Sequence, residues 1–285
     1  MIDLHTHSNA SDGTLSPSQL IDFAINNGIT HLGMVDHDTA DGIEEASEYS
    51  KYKNIKFAYG VEISAEFKEK TMHILGYHIN YKDEELNKKL KILKEAREER
   101  NPKILKKLNE LGFKISFDEV QKVAEGNIIG RPHFAKVMVQ KGYVSTTQEA
   151  FDKYLAKGAS CYVDKFRFEP KNAIEIIRES GGFAVLAHPL SLKLDYEEIK
   201  KVVFELKNYG LEGIECFYRN HTEEDEKKLL SIAKELNLLA SGGSDFHGSN
   251  RPTIFIGIGE GRMKIPSWLG EKFFEKYESH IGVKV

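Results

Sequence analysis

The chain has 285 residues, 40% hydrophobic and 29% charged, with a formal net charge of −4 and two cysteines. That length suits one α/β barrel with a small appendage, and the mild acidity argues against a general polynucleotide-binding surface. Cys161 and Cys216 are far apart without a Cys-x-x-Cys, which argues against a disulfide framework or zinc knuckle and for buried free thiols. With no basic amino-terminal region and no long apolar run, the expectation is a cytoplasmic protein without signal peptide or membrane span.

The first apolar run, Met1 to Leu4, reads as a strand. A helix follows, with Ser16 as N-cap, Pro17 at its first position, Leu20, Ile21, Ala24 and Ile25 on one side, and Gly28 just beyond its end. The β-α-β rhythm continues with a strand near Leu32, a helix near Asp41 to Tyr52, a strand near Ala58 and a β stretch around His73. Between about Asp83 and Cys161 the strands stop. Leu86, Leu90, Leu93 and Ala96 mark one helical stripe, and Ile104, Leu105, Leu108 and Leu111 a second. Asn101-Pro102 between them either starts a second helix or kinks a longer one. Ser116 to Glu119 reads as a capping box, and Arg131-Pro132-His133 as a further helix start. The barrel pattern then resumes with helices at 170–180, 196–208 and 222–236 and strands at 183–188, 212–217 and 238–243. Residues 1–82 and 162–285 are therefore expected to form the barrel, and 83–161 a helical insert. From Lys88 to Lys141 there are 14 Lys and Arg against 7 Asp and Glu, a local +7 that leaves −11 elsewhere. This is either a solvated helical surface or a substrate-steering one.

His5-Thr6-His7 ends the first strand, and Asp12 follows it. In a strand, residues i and i+2 share a side, so both imidazoles can face one ion. Comparable groups stand at the edges of later apolar segments: Asp36-His37-Asp38, Gly60-Val61-Glu62, His73, Ala187-His188-Pro189 and Asp245-Phe246-His247. Delivery of polar groups from several strand ends is how a β/α barrel builds a site. Any one histidine is better explained as a structural residue. Six imidazoles together with Asp12, Glu62 and Asp245 are not, because buried unpaired polar groups are costly. Nitrogen and carboxylate donors without thiolate suit zinc, manganese or iron.

In these motifs, and in Gly130-Arg131-Pro132-His133 and Gly243-Ser244-Asp245-Phe246-His247, the chain resembles the polymerase and histidinol phosphatase (PHP) phosphoesterases across nearly its whole length. It is most similar to the subgroup with a helical insert. The resemblance implies a distorted, seven-stranded, TIM-like α/β barrel and two or three divalent ions. It implies a first ion on His5, His7, Glu62 and Asp245, with Glu62 bridging to a second held by His73 and His188, and a third on Asp12, His37 and His247. Two ions about 3.5 to 4 Å apart can activate a shared water near neutral pH. Arg131 and His133 of the insert would contact the phosphate, His133 or a metal assisting the departing alkoxide, and Arg251 could also reach a phosphate. Asp36 or Asp38 could orient an imidazole, Asp38 could instead cap a helix, and Tyr218 has packing as its default role. The implied activity is removal of the 3'-phosphate of a nucleoside 3',5'-bisphosphate, a small phosphorylated nucleotide. The alternative is a phosphodiesterase, either a 5'-3' exoribonuclease on short RNA or a cyclic-phosphate hydrolase, and a noncatalytic PHP module is a further rival. Neither a membrane nor an obligate protein partner is expected.

Overall fold

The computed structural model describes residues 1–68, 70–124 and 128–281. Among them, seven strands form one sheet in sequence order: β1 (Ile2–Thr6), β2 (His31–His37), β3 (Lys56–Phe67), β4 (Lys70–Tyr77), β5 (Phe183–Leu186), β6 (Leu211–Tyr218) and β7 (Leu239–Gly243). All seven expected strands are present. β1 to β3 are parallel, as are β5 to β7, whereas β4 is antiparallel to both its neighbours. The ends of β1 and β7 meet where Asp245 N donates to His5 O and His7 N donates to Phe246 O, both at 2.9 Å. These bonds leave a nearly closed barrel. The approach of β7 to β1 needs Gly243, since a Cβ there would lie 2.3 Å from His5 Cβ.

Two helices fill the first half, α1 (Pro17–Asn26) and α2 (Ile43–Ser50). The start of α1 is set by a capping box in which Ser16 and Gln19 exchange side-chain and backbone hydrogen bonds, with Pro17 just inside. Its Leu20 and Ile21 are fully buried, each burial being worth about 1.5–3 kcal/mol.

Between β4 and β5 stand α3 (Glu84–Glu110), α4 (Phe117–Ala124), α5 (Arg131–Gln140), α6 (Thr147–Ala150) and α7 (Pro170–Glu179). α3 runs unbroken through Asn101-Pro102 for 27 residues. Its buried stripe is Leu86, Leu90, Leu93, Arg97, Arg100, Asn101, Ile104 and Leu108, at helical spacing throughout. The leucines at one end join the barrel core. Ile104 and Leu108 at the other join a separate apolar cluster with Val120, Phe134, Met138 and Leu155. The middle of the stripe is cationic. After β5 come α8 (Tyr196–Asn208), α9 (Glu223–Glu235) and α10 (Ser267–Ile281). α10, an element not expected from the sequence, seats Leu269, Phe273, Phe274 and Tyr277 in the barrel core. Among the described residues, no helix is long and apolar enough to cross a membrane.

Candidate metal centre

The strand ends converge on one buried polar pocket. β1 supplies His5 and leads into His7; β2 ends at His37, β3 carries Glu62, β4 His73, and His188, Asp245 and His247 follow β5 and β7. The antiparallel course of β4 departs from the expected C-terminal-edge pattern. His73 stands early in its strand, opposite Ser64 of β3, and so reaches the same rim from the other direction.

Ligand atoms within 4.8 Å of one another form three overlapping groups: His5, His7, Glu62 and Asp245; His7, Asp12, His37 and His247; and His37, Glu62 and His73. Glu62, fully buried, joins them. Its Oε1 lies 2.8 Å from His73 Nδ1 and 3.1 Å from His188 Nε2, and its Oε2 3.2 Å from His7 Nε2 and 3.0 Å from His37 Nδ1. His7 Nε2 is 3.3 Å from Asp245 Oδ1, and His247 Nε2 is 3.1 Å from Asp12 Oδ1. The expected first and third ligand sets are thus each brought together, His7 adding to the third. His73 and His188 meet on one oxygen of Glu62.

Burial works against charge at each of these groups, and their neighbours decide the outcome. His37, His73 and His5 hold the Glu62 carboxyl well below its usual range despite burial, and His247 and His37 do the same for Asp12. Asp245 is likewise held low, chiefly by Arg251. Burial drives His73 down to about 4 and His247, assisted by Arg251, to about 3, so both present neutral rings. At His5 and His7 burial is outweighed: Glu215 and Glu62 raise His5 well above its ordinary value, and Asp245 and Glu62 raise His7 to about 9.

Both ring nitrogens of His7, Asp12 Oδ1, His37 Nδ1 and His247 Nε2 are buried, and none is aligned for a hydrogen bond even where a carboxylate or imidazole atom lies close. Such atoms are costly to bury unless something else satisfies them. Ionised carboxylates, imidazole lone pairs and unsatisfied donor atoms in one place fit divalent metal ions.

Residues behind this layer were only partly foreseen. Glu215, fully buried on β6, has Oε1 3.0 Å from His5 Nδ1, and its Oε2 accepts from His188 N at 2.7 Å. The available signal was a carboxylate inside the apolar run Gly213 to Phe217. Tyr218, read as packing, donates to Asp245 Oδ2 at 2.7 Å. Arg251 pairs with the same oxygen. Neither Asp36 nor Asp38 hydrogen-bonds an imidazole among the described residues. Asp36 accepts from Ser8 N, Ser8 Oγ and Ser11 Oγ and so shapes the loop that carries Asp12. Asp38 accepts from Ser64 N and pairs with Arg97 and Lys165. His188 and Asp245 have φ of 25° and 57°, a strained backbone for residues with a Cβ, which the surrounding bonds hold in place.

At the start of α5, His133 Nδ1 accepts from Gly130 N at 3.0 Å. Burial lowers the pKa of this imidazole, so the neutral ring carries its proton on Nε2. That atom lies 3.4 Å from the Asn250 amide, which itself donates to Asp12 O at 2.8 Å. Arg131 leads elsewhere. Its guanidinium donates to Leu155 O at 3.1 Å, lies over the rings of Phe151 and Tyr162, and borders a cleft of about 340 Å³ that also contains His73, His188 and Arg167.

A 5'-3' exoribonuclease of Haemophilus influenzae is 36% identical over 275 residues, covering 95% of this chain and 98% of its own. A 3',5'-nucleoside bisphosphate phosphatase of Chromobacterium violaceum is 34% identical, covering 86% and 87% respectively. A solved Chromobacterium violaceum structure, described as an amidohydrolase with bound sulfate and no metal, superposes with a TM-score of 0.87 at 31% identity, covering 98% of this chain and 96% of that one. The PHP domain family matches residues 3–209, and the chain belongs to that family.

Proposed function

We propose that this protein, a metal-dependent phosphoesterase of the PHP family, removes the 3'-phosphate of nucleoside 3',5'-bisphosphates to leave the 5'-nucleotide. The observation that carries this reading is the shared cleft: His73 and His188 of the donor cluster face the same space as the Arg131 guanidinium. Such an arrangement suits a phosphate held against a metal site, and a phosphatase of this substrate class is among the relatives. His5, His7, Glu62 and Asp245 would hold one ion, Glu62, His73 and His188 a second, and Asp12, His37 and His247 a third, of zinc, manganese or iron. Bound ions of this kind supply Lewis acidity and a water activated near neutral pH.

The chain's own groups do the rest. Residues 83–161 serve as an insert that brings Arg131 and His133 to the barrel. Arg131, held by Leu155 O and two aromatic rings, is preorganised to neutralise phosphoryl oxygens as their charge redistributes. His133 Nε2–H, fixed by the bond from Gly130 to Nδ1, is oriented to donate a hydrogen bond to the leaving oxygen on the Asp12 side, whose proton comes from solvent water. Arg251 keeps Asp245 ionised, and its side chain, 28% exposed, stays open to a phosphate.

The test is phosphate release with manganese from adenosine 3',5'-bisphosphate, AMP, a cyclic phosphate and a 5'-phosphorylated RNA trinucleotide, with products separated. Fast conversion of the bisphosphate to 5'-AMP is the expected result. Mononucleotide release from RNA at equal or higher efficiency would move the assignment to a 5'-3' exoribonuclease, the activity of the Haemophilus influenzae relative.

A further inference from the structure

A second side chain closes on His133 from the barrel. Asn250 ends the short turn Gly248–Asn250 that follows His247, and three bonds fix its position. Ser249 N donates to Thr14 Oγ1 at 3.0 Å, which ties the turn to the loop that carries Asp12. The Asn250 amide nitrogen donates to Asp12 O at 2.8 Å, and its amide oxygen accepts from Lys136 Nζ at 3.0 Å. Lys136 stands three residues beyond His133 on α5, on the same face of that helix. Insert and barrel therefore meet at this asparagine.

These partners set the orientation of the amide. A lysine ammonium only donates and a backbone carbonyl only accepts, so the amide oxygen faces α5 and the nitrogen faces the site. One of its two hydrogens goes to Asp12 O. The nitrogen also lies 3.4 Å from His133 Nε2, which is itself a donor, because Gly130 N already donates to Nδ1. Two N–H groups thus stand against each other, farther apart than an ordinary hydrogen bond. Among the described residues, Asp12 O is the one acceptor that either nitrogen meets. His133 is fully buried, and a buried donor without an acceptor is costly. A role as a brace between insert and barrel accounts for the bonds to Asp12 and Lys136. It leaves two hydrogens over, and an oxygen about 2.9 Å from each nitrogen would take both.

We propose that Asn250 binds substrate: its free amide hydrogen and the His133 Nε2–H together clamp one oxygen, the 3'-oxygen of the sugar that leaves phosphorus. As the P–O bond breaks, its electron pair stays on that oxygen, and two N–H dipoles already in place meet the charge without reorganising. The proton that completes the alcohol comes from solvent water. Lys136 acts through Asn250, holding the amide so that its nitrogen and not its oxygen faces the leaving group. This assignment rests on the phosphatase reading and gives that site a specificity element on the sugar.

The experiment is calorimetric titration of the metal-loaded protein with 5'-AMP, 3'-deoxy-5'-AMP and 2'-deoxy-5'-AMP, on wild type, Asn250→Ala and Lys136→Met, with metal content measured for each. Wild type should prefer 5'-AMP to the 3'-deoxy nucleotide by about tenfold to a hundredfold, the effect of two hydrogen bonds. Asn250→Ala retains the His133 donor, so the preference should fall to about threefold to tenfold. A loosened loop or a lost metal lowers both affinities together and cancels in this ratio. Lys136→Met removes a brace but no donor facing the site, and should keep the wild-type ratio. An unchanged ratio in Asn250→Ala, an equal fall in Lys136→Met, or a wild type that discriminates against the 2'-deoxy instead of the 3'-deoxy nucleotide would overturn the clamp. Phosphate release from adenosine 3',5'-bisphosphate is read separately: a wild-type ratio that Asn250→Ala reduces, without turnover, keeps the contact to the 3'-oxygen and rejects the phosphatase reading.

Discussion

Replacing Glu215 tests how the donor cluster is built. The carboxylate is fully buried and divided between two tasks, accepting from His188 N at 2.7 Å through Oε2 and facing His5 Nδ1 at 3.0 Å through Oε1. The second contact places the proton of His5 on Nδ1 and turns its Nε2 toward Glu62, 3.3 Å away. The first holds the backbone of His188 at a φ of 25°, which a residue with a Cβ adopts only under constraint. Hydrogen bonds to a charged group contribute about 1.5–3 kcal/mol each, so Glu215→Ala should destabilise the fold by about 3–5 kcal/mol, as expected for a broken buried pair. Loss of ligand orientation should weaken metal binding by about tenfold to a hundredfold. Glu215→Gln preserves the volume, but its amide oxygen can serve only one of the two donors while its NH₂ meets the other, so it should fall between. Metal content measured by mass spectrometry after dialysis against graded metal buffers, together with melting curves, reads both effects. A Glu215→Ala protein that keeps wild-type metal affinity would refute the orienting role.

Three further outcomes follow from the same geometry. His5→Ala should abolish turnover together with metal content, whereas Arg131→Ala should keep its metal and lose about tenfold to a hundredfold in kcat/KM; equal metal loss in both would contradict their separate roles. His7 is raised to about 9 in the metal-free protein. Its protonated form therefore contributes stability that is fully present below the unfolded value near 6.5 and is lost as pH rises through about 9. Metal uptake at pH 7 should release protons and strengthen toward pH 9, which calorimetry in buffers of different ionisation enthalpy will show; uptake without proton release would count against the assignment. Gly243→Ala places a Cβ 2.3 Å from His5 Cβ and 2.4 Å from its backbone nitrogen. It should cost at least about 1–3 kcal/mol and lower metal content by moving β1 from β7, and an unchanged melting temperature would show that the strands separate freely.

The strands and the donor residues were legible in the sequence for one physical reason. A run such as Phe183 to Ala187 is apolar on both faces because both are buried, and the polar residue that ends it, His188, marks the barrel rim. The direction of β4 was not legible, because an apolar run reads alike in a parallel and an antiparallel strand. Glu215 escaped notice because it lies within β6, where a carboxylate among Gly213, Ile214, Cys216 and Phe217 marks a buried partner rather than a rim ligand. Tyr218 shows the limit of a default role: its ring packs in the barrel while its hydroxyl bonds Asp245.

The basic excess between Lys88 and Lys141 divides in a way that counting charges does not reveal. Lys88, Lys91 and Lys106 make exposed ion pairs along α3, each worth at most about 1 kcal/mol. Arg97 and Arg100 instead continue the stripe that begins with Leu86, Leu90 and Leu93 and ends with Ile104 and Leu108. Continuing the helical spacing of the leucines through Asn101-Pro102 places these arginines on the buried face, whereas two helices broken there would leave their facing undefined. The unbroken helix has a functional consequence as well. One end of α3 is fixed in the barrel core and the other in the helical cluster, so Arg97 and Arg100 are held at a set distance from the donor residues by packing on both sides.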